Sequence, residues 1–155
     1  MHFPLKLYVP LTLQSRTDFC LVHYQDDTLQ FPSPHWYVFI PTKEDSKFLV
    51  IIITSQIEKR MNYYKNAKQL KATKCLVKIS NNEFPFLNKL SAINCNETDL
   101  LSINEIVHKV DEEVGFKFED EKIPAYLKKE IVSAILQSPL IPPLYKKYAK
   151  AANPI

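Results

Sequence analysis

Six consecutive apolar residues, FLVIII at positions 48–53, constrain this chain more than any other stretch. Most of them are β-branched, which favours a β-strand. A strand without polar alternation is typical of the middle of a sheet that is covered on both faces. A second strand-like run, HWYVFI at 35–40, comes before it, and the polar segment PTKEDSK separates the two runs. We therefore predict a β-hairpin at the centre of the fold.

The end of the second strand is where functional groups first emerge from this hairpin. Thr54 and Ser55 place two hydroxyls directly after the apolar run. In an antiparallel pair the end of one strand lies beside the start of its partner, so we expect these hydroxyls near His35. Histidine ordinarily titrates near neutral pH, which suits an acid or a base. The alternative is a histidine that caps its strand and hydrogen-bonds to the backbone.

The composition is that of one globular domain. The chain has 155 residues, nearly half of them apolar, and we predict a single domain over 1–155. No run of 18 apolar residues occurs, and the first residues lack the basic start and apolar middle of a signal peptide. We therefore expect a soluble, cytoplasmic protein without a membrane segment.

Glycine and cysteine usage excludes several classes of site. Gly115 is the single glycine, so the glycine-rich loops that bind nucleotide phosphates cannot form. The three cysteines lie far apart in the sequence, which predicts neither a zinc site nor a disulfide framework. We expect no metal and no cofactor.

The hydrophobic patterns predict a mainly β N-terminal part and a mainly helical C-terminal part, an α+β fold class. The short strands and close turns indicate a small barrel over about 1–99, followed by helices over about 100–153. The predicted strands cover 3–13, 19–24, 35–40, 48–54, 75–79 and 90–95. The predicted helices cover 55–72, 100–114, 124–136 and 144–152.

A basic tract follows the hairpin. Between Lys59 and Lys78 there are six lysines and one arginine with no acidic residue, and Tyr63 and Tyr64 lie among them. Lysine neutralises phosphate and an aromatic face stacks on a base, so this mixture suits single-stranded nucleic acid. The alternative is a solvated lysine face in a lysine-rich protein.

Several short motifs occur in a characteristic order. They are a His-hydrophobic strand, an apolar strand ending in Thr-Ser, a Cys-hydrophobic strand, an acidic-x-Pro-Phe-hydrophobic turn and a strand opened by Ser. They correspond to His35-Trp36-Tyr37-Val38-Phe39-Ile40, Ile53-Thr54-Ser55, Cys75-Leu76-Val77, Glu83-Phe84-Pro85-Phe86-Leu87 and Ser91-Ala92-Ile93. Over about 32–148 the chain thereby resembles the MazF/PemK-like toxins of type II toxin–antitoxin systems.

The resemblance implies a small SH3-like β-barrel with C-terminal helices, a homodimer, and a cognate antitoxin as partner. It also implies an endoribonuclease that cleaves single-stranded RNA without a metal, by attack of the 2′-hydroxyl on phosphorus. On this basis Thr54 and His35 are the predicted catalytic residues. The predicted substrate-binding residues are Ser55, Ser91 and Asn94 from the resemblance, and Lys59, Arg60, Tyr63 and Lys65 from the basic tract.

One feature of the family is missing. The strand that begins at Ser91 often carries a catalytic arginine a few residues later, whereas Asn94 stands in that region here. The chain has only Arg16 and Arg60, and neither aligns with the family arginine. An alternative function is therefore a catalytically inactive barrel that acts as an RNA- or protein-binding module.

Overall fold

The computed structural model describes residues 4–44, 46–119 and 122–152. Within these ranges seven antiparallel strands form one sheet, and five α-helices surround it. The strands are β1 (Cys20–Gln25), β2 (Pro34–Pro41), β3 (Lys47–Thr54), β4 (Leu76–Ile79), β5 (Ser91–Asn94), β6 (Asp99–Ser102) and β7 (Lys117–Glu119). The helices are α1 (Leu5–Gln14), α2 (Ile57–Asn66), α3 (Ile103–Lys109), α4 (Ala125–Gln137) and α5 (Pro143–Ala152). The predicted α+β class is confirmed.

Strand β3 is the centre of the sheet, as the apolar run predicts. One edge pairs with β2, in a register that sets Tyr37 opposite Ile52. The other edge pairs first with β6 and then with β5. A 3-10 turn, Cys95–Glu97, lies between β5 and β6 and interrupts what would otherwise be one long strand. The predicted hairpin is confirmed, and its second strand has neighbours on both edges.

The alternating side chains of β3 enter two separate hydrophobic clusters. Leu49, Ile51 and Ile53 pack on one face of the sheet with the buried residues of α4 and α5. Phe48 and Val50 pack on the opposite face with those of α1 and α3. Because successive side chains of a strand point to opposite faces, a sheet with helices on both faces needs apolar residues at both sets of positions.

The strand predicted over 3–13 is wrong, because residues 5–14 form α1. Leu5, Val9 and Leu13 are spaced by four, lie on one helix face and are buried. Pro10 inside the helix removes a backbone donor, at a cost of about 3 kcal/mol. Burial of three large aliphatic side chains, worth about 1.5–3 kcal/mol each, offsets that cost.

The pairing of the described strands does not close into a barrel. The order along the sheet is β4-β5-β3-β2-β1-β7, with β6 as an additional neighbour of β3. No ladder within the described ranges joins the end strands β4 and β7 to each other. The helices α1 and α3 cover one face and α4 and α5 cover the other, so the core is buried without closure of the sheet. The SH3-like barrel is therefore not confirmed.

The helix predicted over 100–114 is shorter than expected. Its first residues form β6, which pairs with β3, and α3 begins only at Ile103. Ser102 caps α3, since its hydroxyl accepts from the backbone N–H of Glu105 and the Glu105 carboxylate accepts from the backbone N–H of Ser102. Such a reciprocal cap fixes the start of a helix. Among the described residues, none of the helices combines the length and apolar character that crossing a membrane requires.

Candidate functional site

A cleft of about 560 Å³ lies where β3 ends, and we call it the hairpin cleft. Its walls come from β2, β3, the loop 27–33, the first turn of α2 and the 3-10 turn before β6. The strand register explains its position. Tyr37 lies opposite Ile52, and the same register continued by two residues sets His35 opposite Thr54 on the same face. The imidazole and hydroxyl predicted to act together therefore line one cleft.

Both predicted catalytic residues and three of the predicted binding residues meet in the hairpin cleft. They come from β2, the end of β3 and α2, and they meet because the loop after β3 brings α2 back over the hairpin. The five are His35, Thr54, Ser55, Lys59 and Arg60.

One hydrogen bond of His35 shows which ring nitrogen carries the proton. Nδ1 lies 2.9 Å from the carbonyl oxygen of Ser33, and a carbonyl can only accept, so Nδ1 carries the proton. In the neutral ring Nε2 then carries a lone pair, and no hydrogen bond reaches it within the described ranges, so it can accept a proton. The sequence left open whether this histidine is functional or bonds to the backbone, and its geometry is compatible with both roles.

Thr54 is a buried hydroxyl at the end of the central strand. Its side chain is 8% exposed, and its Oγ1 accepts a hydrogen bond from the backbone N–H of Gln56 at 3.1 Å. That bond occupies a lone pair and leaves the hydroxyl hydrogen available for donation. Thr54 can therefore donate to an oxygen atom that enters the cleft.

Arg60, which the basic tract predicts as a binding residue, supplies a guanidinium to the cleft. It does so from a position that does not align with the family arginine. It lies in α2 beside Lys59, and both line the cleft. Within the described ranges no ion pair joins either residue to a carboxylate. Arginine presents a planar fork of donors that matches the oxygen atoms of phosphate.

The cleft also contains acidic groups that the sequence motifs do not predict. Asp26, Glu97 and Asp99 line it together with Lys109. Lys109 Nζ lies 3.4 Å from Asp26 Oδ2, and the Thr28 backbone N–H donates to Asp26 Oδ1 at 2.9 Å. The three acids thus balance the three bases Lys59, Arg60 and Lys109. The only signal in the sequence was the acidic character of 97–99, the segment where the family carries its arginine.

Two stacked tyrosines form an inner wall of the cleft. The rings of Tyr24 and Tyr37 lie 4.4 Å apart, and Tyr37 is only 5% exposed. Burial, followed by the negative charges of Asp26 and Glu97, raises the pKa of Tyr37, so its hydroxyl keeps its proton at neutral pH. The Tyr37 hydroxyl is buried and has no hydrogen-bond partner among the described residues. A buried hydroxyl without a partner is uncommon, and a water molecule or a ligand atom beside it would satisfy it.

Four predicted substrate-binding residues do not line the hairpin cleft. Tyr63 and Lys65 are exposed on α2. Ser91 is buried and donates to the carbonyl of Lys89 at 3.0 Å. Asn94 is fully buried, and its Nδ2 donates to Tyr64 Oη at 3.0 Å and to Glu97 Oε2 at 3.2 Å. Asn94 therefore connects α2 to the turn that carries Glu97, and positions both.

The set of groups in the hairpin cleft suits proton transfer beside an anion. It contains an imidazole with an acceptor nitrogen, three carboxylates, a hydroxyl donor and three cationic side chains within one concave surface. Such mixtures of acids, bases and fixed donors are typical of sites for acid–base chemistry on a phosphate or carbonyl group. Comparison with known protein families, curated proteins and solved structures finds no match to this chain.

Proposed function

We propose that the hairpin cleft binds a phosphodiester of single-stranded RNA and cleaves it without a metal ion. The observation that carries the proposal is the convergence of His35, Thr54, Lys59 and Arg60 on one cleft. Cleavage of RNA through its own 2′-hydroxyl needs a base, an acid and donors for the phosphate charge, and each is a side chain present there.

In the proposed reaction, Nε2 of His35 takes the proton from the 2′-hydroxyl. The 2′-oxygen attacks phosphorus, the bond from phosphorus to the 5′-oxygen breaks, and Lys59 donates a proton to that oxygen. The products are a 2′,3′-cyclic phosphate and a free 5′-hydroxyl. Arg60 and the Thr54 hydroxyl stabilise the charge on the phosphate oxygens, and Ser55 adds a second hydroxyl donor.

Beyond the chemistry, we propose a MazF/PemK-like toxin that acts as a homodimer in the cytoplasm and is inhibited by a cognate antitoxin protein. The order of motifs supports this assignment, as does the position of Thr54 and Ser55 at the end of the apolar strand. An SH3-like relationship of the open sheet belongs to the same proposal. Arg60 then replaces the arginine that the family carries after its Ser-opened strand.

A second candidate function is an RNA- or protein-binding module without catalysis. The observation that favours it is the full burial of Asn94, which occupies the region of the family arginine and whose amide donates to Tyr64 and Glu97. If Arg60 does not replace the family arginine in catalysis, the cleft binds RNA or a protein and leaves it intact.

The deciding experiment uses end-labelled RNA with EDTA present throughout. We expect products with 2′,3′-cyclic phosphate and 5′-hydroxyl ends, and no cleavage at a site where one ribose is replaced by 2′-deoxyribose. His35→Gln should lower the rate by at least about 100-fold, because it removes the base. His108→Gln is the matched control, since His108 is exposed on α3 and does not line the cleft.

Three results would contradict the proposal. They are intact RNA after incubation with the folded wild-type protein, cleavage of the 2′-deoxy site at the normal rate, and equal rates for wild type and His35→Gln. Intact RNA together with measurable RNA binding would favour the binding module.

A further inference from the structure

The loop 27–33 carries two exposed apolar side chains to the mouth of the hairpin cleft. Phe31 is 83% exposed and Leu29 is 42% exposed, and both line the cleft. This loop lies in the N-terminal part of the chain, to which the family resemblance assigns no role. An exposed aromatic ring at the edge of a polar cleft is well suited to stacking, because every nucleobase offers an aromatic face.

Deeper in the same cleft lies the unpartnered hydroxyl of Tyr37. The ring is fixed by stacking on Tyr24 at 4.4 Å, so the hydroxyl has a defined place. Its oxygen has no hydrogen-bond partner among the described residues. Because a phenol both donates and accepts, it can bond to either kind of atom on the edge of a base.

Carboxylate oxygens with unused acceptor capacity line the cleft too. Glu97 accepts from Asn94 through Oε2, and Asp99 accepts from the Leu100 backbone through Oδ1. Within the described ranges no hydrogen bond reaches the second oxygen of either carboxylate. Carboxylates accept from the amino groups of bases, and they repel a second phosphate.

We propose that Phe31, Tyr37 and the carboxylate of Glu97 form a nucleobase subsite that prefers a base carrying an amino group. The inference rests on the proposed function and deepens it, since it states which part of the RNA lies beside which wall of the cleft. Phe31 stacks on the base, while the Tyr37 hydroxyl and Glu97 bind its edge. Guanine fits best because its ring N–H and amino group are adjacent donors that match one carboxylate, and uracil fits worst because it has no amino group.

The test measures binding of small probes and requires no cleavage. Guanosine 5′-monophosphate, uridine 5′-monophosphate and ribose 5-phosphate are titrated into the full-length protein by calorimetry. We expect the guanine nucleotide to bind about tenfold more tightly than the uracil nucleotide, and ribose 5-phosphate to bind most weakly. Phe31→Ala should weaken both nucleotides about tenfold and leave ribose 5-phosphate unchanged.

Tyr126→Ala is the matched control for Phe31→Ala. Tyr126 is also an exposed aromatic residue, at 53%, but it lies on α4 and does not line the cleft, so this variant should bind all three probes like wild type. Tyr37→Phe removes only the unpartnered oxygen, so it should fold normally while the preference for guanine over uracil decreases. Glu97→Gln should reduce the same preference.

Two outcomes would overturn the subsite. One is equal binding of both nucleotides and ribose 5-phosphate, which would mean that only the phosphate is recognised. The other is loss of nucleotide binding in Tyr126→Ala but not in Phe31→Ala. The fate of the cleavage proposal is separate. Base-dependent binding without RNA cleavage keeps the subsite and removes the nuclease, whereas cleavage without base preference does the reverse.

Discussion

Two hollows of similar volume differ in what surrounds them. The hairpin cleft measures about 560 Å³, and a second hollow between β4 and α4 measures about 610 Å³. We call the second one the lysine hollow, because its charged residues are Lys74, Lys78 and Lys129 with the single acid Glu130. The hairpin cleft instead holds equal numbers of acidic and basic side chains, a histidine and the buried Tyr37 hydroxyl.

The difference in lining residues matters because attracting RNA and cleaving RNA require different side chains. Exposed lysines attract a polyanion over a distance set by ionic strength, and they need no fixed geometry. Proton transfer needs groups of different acidity held beside each other by the fold. The two volumes are similar, so the proposal distinguishes the two hollows by their lining side chains: it needs only attraction of RNA at the lysine hollow, and it places cleavage in the hairpin cleft.

The comparison is tested most directly by removing one positive charge from the cleft and, in a separate variant, one from the exposed face of the same helix, α2. Arg60→Gln should lower kcat/KM for RNA cleavage by about 100-fold, because a donor to the developing phosphate charge is lost. Lys65→Gln removes a charge from α2 outside the cleft and should leave kcat unchanged. Steady-state kinetics on a short RNA measures both. Equal effects of the two substitutions would reduce the cleft to a basic surface.

A smaller effect is expected in the lysine hollow. The double variant Lys74→Gln, Lys78→Gln should leave kcat unchanged and weaken RNA binding. If both residues contact phosphates, the slope of log K against log salt becomes shallower by about 1.4. Binding titrations across a salt series measure the slope, with Lys147→Gln, Lys150→Gln on the exposed side of α5 as control. An unchanged slope would show that single-stranded RNA does not reach the lysine hollow.

The smallest effect concerns stability and compares histidines on opposite faces of the sheet. His23 pairs with Trp36 across β1 and β2, and burial, then the charges of Lys117 and His35, lower the pKa of His23 below its ordinary value of 6.5. The unfolded chain therefore binds this proton more readily than the folded chain does. The free energy of unfolding should fall as the pH drops below 6.5 towards the lower pKa of the folded state.

His23→Gln tests that linkage. Urea unfolding at about pH 7.5 and about pH 5.5 should show a larger loss of stability for wild type than for the variant. The variant should still cleave RNA, because His23 does not line the hairpin cleft. An identical pH dependence in both proteins would contradict the assigned shift, and a loss of cleavage would contradict the assignment of catalysis to one face of the sheet.

The central hairpin could be predicted because its signal is local. Uninterrupted apolar residues with β-branched side chains specify a buried strand wherever the sheet lies, and β3 follows that rule. Helix α4 is similar, since Leu127, Ile131 and Ile135 are spaced by four and are all buried. Helix α1 could not be identified in this way, because Pro10 and a short apolar segment are equally compatible with an edge strand until the partners of its buried face are known.

The residues of the candidate site also fall into two groups: those whose position follows from strand pairing and those that only the tertiary structure places. Thr54 and His35 are ends of paired strands, so the antiparallel rule places them together, and the observed register, continued by two residues past the Tyr37–Ile52 pair, agrees. The order of motifs predicts Ser91 and Asn94 as binding residues, but both are buried and bonded to protein groups. A motif gives the order of residues along a strand, and the direction of each side chain follows from the pleat and from the neighbouring elements.

The sequence alone determined that a hairpin of buried strands lies at the centre of an α+β domain and that hydroxyls follow its second strand. Only the tertiary structure decided that Arg60 of α2 enters the same cleft, that Phe31 stands at its mouth, and that Tyr37 keeps an unpartnered hydroxyl inside. The physical reason is the separation along the chain over which each effect acts. Strand propensity and periodicity act within a few residues, whereas a cleft forms where elements distant in sequence pack around the end of a strand.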